Sequence, residues 1–513
     1  MIGQLARLAW GLPAFIRRPL NYAEAVAALK LRLADRAGRF LRLAQTHIYG
    51  NPSSPYRALL AWAGCEYGDL AQNVRRHGLE PTLAQLRDAG VYVSLAEFKA
   101  RTPIQRSGLW LQPREDNFDN PFFTATGLEA TTSGSRSHGS RVVYDWALFH
   151  EQAANELILN ELHGVRTAPL VLWLPTLPAI AGVSSAMMNV RFRRVPLQWF
   201  SQTDWKAGGL LSRHRLAMEY LLGCCRLLGQ PLPRPEFADF SHAGRVAEWI
   251  ATTKRKVGPP LLRTYVSSAV RLAQAAHERG LDISGSVILS AGEPLTERRC
   301  RFIEATGARV FPRYSATEAG LIGAACPYRT GADDMHIYVD RLAVIQRAES
   351  FLFTSLSPHT GKVLFNTDIG DTGALVTRRC SCAFGDLGME THVVNVRSRD
   401  KLTGEGMAIL ATDLDEIIGA LIEQLGGSPD DYQFWETDGQ GELTRLKVAI
   451  HPRLENLDEA QFIRAVLDTL SRAHGSGKFS AQIWKQSGLL EVIRAEPQLT
   501  KRGKHLPIIP APG

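Results

Sequence analysis

Residues 287–320 read VILSAGEPLTERRCRFIEATGARVFPRYSATEAG. Val287 to Leu289 is a short apolar run, and Ala291-Gly292-Glu293-Pro294 breaks it. A proline near a helix start loses nothing by lacking an N–H. Glu297 to Thr306 carries charges around Phe302 and Ile303, with Gly307 as a C-terminal cap. Ala308 to Phe311 resumes as a strand, and Arg313 to Glu318 follows as a polar loop. Strand, turn, helix, strand and polar loop make an α/β unit. Its polar groups gather at the carboxyl ends of strands, where such sheets bind ligands.

At 513 residues the chain exceeds one small core, and two to four domains are expected. Its composition is that of a soluble globular protein. The net charge of +8 is modest and scattered, with clusters at Arg191, Arg193 and Arg194 and at Lys501, Arg502 and Lys504. A nucleic-acid binder concentrates its basic residues on one face or stripe, so no nucleic-acid partner is expected. A polyanionic small ligand accounts for the balance equally well. Seven cysteines, two of them adjacent at Cys224-Cys225, do not make a disulfide framework and fit a reducing cytoplasm. No apolar run reaches the roughly 18 residues of a membrane span. Leu8 to Ile16 is apolar between Arg7 and Arg17-Arg18, and is read as a docked helix rather than a signal peptide or a basic surface helix.

Along the chain, Tyr22–Gln45, Pro55–His77, Pro81–Gly90 and Ser94–Lys99 have helical spacing, so residues 1–120 form a helical lead-in. Thr131 to Arg141, TTSGSRSHGSR, is a small polar run of the kind that wraps phosphate with backbone N–H groups and hydroxyls. Asp145 caps an expected amphipathic helix to Leu162, with Gly164 as its stop. Helix and strand then alternate from Pro169 onward, which argues for a largely parallel sheet covered by helices. Trp199, Phe200, Trp205 and Met187-Met188 are assigned to the core. Cys326, His336, Cys380 and Cys382 offer three thiolates and an imidazole, the set for a closed tetrahedral zinc site; reduced, metal-free cysteines are the alternative. Residues 396–402, VRSRDKL, form a charged linker. Beyond them helix, hairpin, helix and strand patterns make a compact α+β domain.

Several of these segments together resemble the adenylate-forming superfamily of acyl-CoA synthetases, and the phenylacetate-CoA ligase and CapK-like branch in particular. Tyr314-Ser315-Ala316-Thr317-Glu318 is similar to its aromatic-x-x-Thr-Glu loop, and Gly292-Glu293-Pro294-Leu295 to the segment preceding it. Thr132-Ser133-Gly134-Ser135 matches the phosphate loop, although Ser137, Gly139 and Ser140 stand where Gly, Pro and Lys are usual; Arg136 or Arg141 would supply the missing cation. Asp371 matches the ribose-binding Asp, with Asp368 as its competitor and Phe365-Asn366 replacing the usual Arg-Tyr. Arg399 matches the hinge arginine, with Asp400 or Lys401 as the pivot. Thr500, Gly503 and Lys504 match a C-terminal Pro-x-Thr-x-x-Gly-Lys tail.

The resemblance implies a fold and a reaction. The fold is α/β: a large N-terminal domain with mixed or parallel sheets covered by helices (its main part at 121–398) and a mobile small α+β domain at 399–513. The reaction is carboxylate plus ATP giving acyl-adenylate and pyrophosphate, followed by transfer to CoA. Glu318 would hold Mg²⁺, Tyr314 would stack on adenine, and Lys504 would neutralise the attacking carboxylate and the α-phosphate. Some members carry a structural zinc between segments like those of Cys326, His336, Cys380 and Cys382. The alternatives are an acyl-protein or carrier-protein synthetase, and a nucleotide-binding scaffold without activity. A homodimer is left open.

Overall fold

The computed structural model describes residues 11–122, 128–131, 141–144, 146–206, 212–398, 401–404, 407–428, 431–438, 444–455, 457–472, 477–498 and 508–509. One sheet holds twelve strands. In chain order they are β1 (Leu170–Trp173), β2 (Gln198–Ser201), β3 (Glu236–Phe237), β4 (Leu261–Tyr265), β5 (Val287–Ala291) and β6 (Arg309–Ala316). Then come β7 (Gly320–Ala324), β8 (Met335–Ile337), β9 (Leu342–Arg347), β10 (Ser350–Ser355), β11 (Thr367–Thr377) and β12 (Thr391–Ser398). Their spatial order is β3-β2-β1-β4-β5-β6-β7-β8-β12-β11-β10-β9.

The sheet changes character at β6. From β3 to β6 every pairing is parallel, and from β6 onward every pairing is antiparallel. The parallel register ends at Pro312 opposite Ser290, and β6 continues as one arm of a hairpin with β7. The register shifts between Tyr314 and Ser315, a bulge that re-aims side chains. The expected polar loop over Arg313–Glu318 is therefore mostly strand, and only residues 317–319 turn. Gly320 makes that short turn possible. Its φ is +71°, and a Cβ there would lie 2.3 Å from Nε2 of Gln152. The helix of this unit, Glu297–Glu304, is capped by Thr296, whose side chain accepts from the Arg299 N–H. Pro294 lies before that cap rather than at the first helical position.

Helices cover the sheet. Residues 11–17 are helical with Leu12, Phe15 and Ile16 buried, so this segment is a docked helix. Asn21 and Glu24 form a reciprocal cap on Tyr22–Ala34, which packs against Trp146–Leu162. That second helix departs from the amphipathic expectation. Glu151, Gln152, Asn155, Glu156 and Asn160 on it are all buried. Their polar stripe faces arginines instead of water: Glu156 pairs with Arg263 on β4 and, at 2.6 Å, with Arg313 on β6, and Glu151 lies 3.0 Å from Arg39. Asp340 is held by Arg32 at 2.8 Å and Asn155 at 3.2 Å. Trp199, Phe200, Trp205, Met187 and Met188 are core residues, as expected.

The C-terminal part has its own four-stranded sheet, ordered Leu490–Arg494, Thr444–Ile450, Tyr432–Asp438, Ile508–Ile509. Helices Ala411–Gln424, Glu459–Arg472 and Gly477–Ser487 accompany it. Leu414, Ile418, Phe434, Val448, Val466 and Trp484 fill its core, and Phe240 from the larger part joins them.

Candidate active site

The carboxyl ends of β5 and β6, the 317–319 turn and β11 bring one cluster together. The Tyr314 hydroxyl donates to Oδ2 of Asp371 at 2.6 Å, and Ser398 Oγ lies 3.4 Å from the other oxygen. The Tyr314 ring meets Phe353 edge-on, with centroids 6.3 Å apart. Burial pushes the Tyr314 pKa well above its ordinary value of 10, and the charges of Asp371, Asp368 and Glu318 push it further. Asp371 on β11 is the carboxylate that the hydroxyl touches. Asp368 accepts from the Gly370 N–H at 2.7 Å. Of the two aspartates that competed for one role in the sequence, Asp371 is the one bound to Tyr314.

Glu318 is buried, and Nζ of Lys99 lies 2.7 Å from its Oε1; the two side chains are only 6% and 7% exposed. Lys99 follows the one-turn helix Leu95–Phe98, which Ser94 and Glu97 cap reciprocally. The next residue, Ala100, has φ +54°. Sequence reasoning missed Lys99: it belongs to no motif, and only its place at the end of a short capped helix marked it. Gly292, at φ +83°, and Glu293 follow β5, and Glu293 accepts from Ser267 Oγ at 2.7 Å. Ser315 is exposed on β6 and Thr317 is half-buried in the turn. Phe365 and Asn366 are structural here. Phe365 packs on Phe40 and Tyr56, and the Asn366 amide donates to the carbonyls of Leu83 and Val91 at 2.8 and 3.1 Å. Thr132, Ser133, Gly134, Ser135, Arg399, Asp400 and Lys504 lie outside the described residues; Lys401 opens the strand Lys401–Gly404.

A second cluster lies where β7, β8 and the segment before β12 meet. The ligand atoms of Cys326, His336, Cys380 and Cys382 all fall within 4.8 Å of one another. Sγ of Cys326 and Cys380 are 3.6 Å apart, and Cys382 Sγ is 3.2 Å from Nε2 of His336. The hydrogen bond from Cys326, with the nearby His336, holds the Cys382 thiol well below the usual thiol range against the effect of burial. His336 Nδ1 lies 2.8 Å from the Met389 carbonyl, which fixes the ring and leaves Nε2 for a ligand bond. Soft sulfur donors with one imidazole suit tetrahedral zinc.

No protein-family model matches this chain, and no curated protein matches its sequence. Among solved structures it is similar to 2-hydroxyisobutyryl-CoA ligase in complex with 2-HIB-AMP and CoA in the thioesterification state, with 15% identity, 96% of this chain and 91% of that chain covered, and a TM-score of 0.60. The same ligase in the postadenylation state gives 15% identity, 93% and 88% coverage and a TM-score of 0.48. For o-succinylbenzoate CoA synthetase from Bacillus subtilis the values are 12%, 74%, 67% and 0.42. At such identities the likeness establishes architecture. This chain has the fold of an adenylate-forming acyl-CoA ligase along nearly its whole length. Among the described residues no helix is long and apolar enough to cross a membrane.

Proposed function

We propose that this chain activates a carboxylic acid with ATP and then passes the acyl group to the thiol of CoA, in the manner of the phenylacetate-CoA ligase-like branch. The observation that carries the reading is the Tyr314–Asp371 hydrogen bond with Glu318 and Asp368 around it, at the carboxyl ends of the central strands of this fold. A carboxylate oxygen attacks the α-phosphorus, the bond to the β-phosphate breaks, and pyrophosphate leaves. The product is a mixed anhydride whose leaving group, AMP, a thiolate displaces readily.

Asp371 accepts from the ribose hydroxyls, because an ionised carboxylate offers acceptors only. Tyr314 orients that carboxylate and borders the adenine, with Gly292, Glu293, Ser315 and Thr317 on the same rim. Glu318 offers the hard oxygen donors that Mg²⁺ takes, and Mg²⁺ there would offset charge on the phosphates. Thr132 to Ser135 hold the β- and γ-phosphates, and Arg399 meets the ribose and phosphate. Lys504 neutralises the charge developing at the α-phosphate. Residues 399–513 form a mobile domain on the Asp400–Lys401 hinge, so Lys504 withdraws before the thiol enters. Cys326, His336, Cys380 and Cys382 hold a structural zinc, since four protein ligands leave no open position. A reducing cytoplasm suits the seven cysteines, none of which is paired in a disulfide.

ATP–pyrophosphate exchange across a panel of carboxylic acids tests the first half-reaction. Exchange with no acid, despite ATP binding, would leave a nucleotide-binding scaffold. Trapping the product with CoA against a carrier-protein thiol decides the acceptor.

A further inference from the structure

We infer that Lys99 is a displaceable counter-cation for Glu318, occupying the cation position beside that carboxylate until a divalent metal enters with the nucleotide. The inference rests on the proposed reading in one respect, that Glu318 is a metal ligand.

The geometry is that of a buried ion pair. Nζ to Oε1 is 2.7 Å, and both side chains are more than nine-tenths buried. Burying a carboxylate is costly unless it is paired, and the ammonium of Lys99 is the paired charge here. Glu318 accepts from the Lys99 ammonium. Lys99 is held there by its backbone as well as its charge. It ends a capped helical turn, its ammonium sits 5.4 Å from the centroid of the Phe98 ring, and Ala100 after it adopts a left-handed conformation that residues with a side chain rarely take. The lysine comes from the helical lead-in, over two hundred residues from Glu318 in sequence, and no neighbouring pair in the chain explains it.

An ammonium and a divalent ion on one carboxylate repel each other. Metal binding therefore has to weaken the Lys99 contact, and Lys99 sets how tightly metal binds. Between turnovers the lysine holds the Glu318 side chain and the turn in place. When metal arrives, the ammonium is released inside a site that is about to receive three phosphates. The signs of the two effects differ from those of a merely structural ion pair: removing Lys99 should weaken the metal-free protein and strengthen its hold on metal.

The experiment uses the full chain with Mn²⁺ as the probe, titrated by electron paramagnetic resonance and by thermal shift, for wild type, Lys99→Met, Lys99→Arg and Glu318→Gln. Lys99→Met should bind Mn²⁺ at least tenfold more tightly than wild type, and its melting temperature should rise more on adding Mn²⁺. Lys99→Arg should stay near wild type, and Glu318→Gln should lose the Mn²⁺ response. If Lys99→Met folds only in the presence of Mn²⁺ and unfolds on chelation while wild type does not, that outcome also supports the exchange. Equal or weaker Mn²⁺ affinity in Lys99→Met overturns it, as does a Glu318→Gln variant that binds Mn²⁺ like wild type. A Lys99→Met chain that stays unfolded even with Mn²⁺ overturns it too, because metal should then replace the lost charge. Pyrophosphate exchange by wild type is scored separately. Its absence with the Mn²⁺ pattern intact would remove the ligase reading and keep this one, and its presence with no Mn²⁺ difference would do the reverse.

Discussion

Replacing Tyr314 by Phe removes one oxygen from the centre of the cluster. That hydroxyl donates to the Asp371 carboxylate at 2.6 Å, and each residue is 8% exposed. A hydrogen bond to a charged group contributes about 1.5–3 kcal/mol. At about 1.4 kcal/mol per factor of ten, loss of that bond corresponds to a roughly 10- to 150-fold change in an equilibrium that depends on it. If Asp371 receives the ribose hydroxyls, the freed carboxylate has to be reoriented on binding, and ATP affinity should fall by about that factor. Asp371→Asn keeps the size and removes the acceptor-only character, so it should weaken ATP by a comparable amount. Calorimetric titration with a non-hydrolysable ATP analogue measures both, and circular dichroism checks the fold. The double variant decides whether the pair acts as a unit: its loss should be smaller than the sum of the single losses by about 1 kcal/mol or more. Unchanged affinity in Tyr314→Phe, or losses that simply add, would mean that Tyr314 is a core residue that happens to touch Asp371.

Zinc at Cys326, His336, Cys380 and Cys382 should appear as about one equivalent per chain by elemental analysis, and Cys380→Ser with Cys382→Ser should lower thermal stability; metal-free protein of full stability would refute it. Lys504→Ala should slow acyl-adenylate formation about 100- to 1,000-fold while Mg-ATP affinity changes little and transfer from a synthetic acyl-adenylate survives, with Lys501→Ala as the control; a normal adenylation rate would remove Lys504 from the mechanism. Glu156→Gln leaves Arg263 and Arg313 buried without their carboxylate, and urea denaturation should show a loss of about 3–5 kcal/mol; a loss below about 1 kcal/mol would mean that the arginines find other partners. Burial alone would raise the Glu151 carboxyl, but Arg39, Arg341 and other groups around it hold it at about 2. Its folded pKa lies below the unfolded value, so its contribution is complete above about pH 4.5 and is lost as pH falls from there towards 2, by about 3 kcal/mol. In Glu151→Gln the decline of stability over that window should flatten correspondingly.

Much of the fold was legible because its signals are local. Val287–Leu289, Gly307 and Ala308–Phe311 carry a strand, a stop and a strand in their own residues, and the helix, hairpin, helix and strand expected beyond residue 402 are present, with a further helix at Gly477–Ser487 that the sequence reading did not include. The helix Trp146–Leu162 misled because periodicity records where polar residues lie and not what they face. Glu151 and Glu156 point at arginines supplied by distant segments, so a polar stripe became interior. The loop expected after Phe311 became a strand for a similar reason. Its hydrogen-bond partners on β7 lie beyond a three-residue turn that only the conformation of Gly320 permits.

The site divides the same way. Tyr314, Glu318 and Asp371 could be marked singly from their segments, but nothing in sequence says that one hydroxyl would join Asp371 and stand among Asp368 and Glu318. Lys99 lies further from any local signal, because an ion pair between residues 219 apart leaves no spacing to read. Such pairs become visible only as a question of charge: a carboxylate as buried as Glu318 needs a paired cation, and some segment has to supply it. The segments that match least well, the phosphate run with Ser137 and Ser140 and the altered pair Phe365-Asn366, differ in what their departures mean. Phe365 and Asn366 are accounted for by packing and by backbone carbonyls, so that departure costs the site nothing. The phosphate run carries its own candidate cations, Arg136 and Arg141, and residues 132–140 lie outside the described residues. Among the described residues, the cation beside Glu318 is Lys99, which comes from a segment that no motif marks.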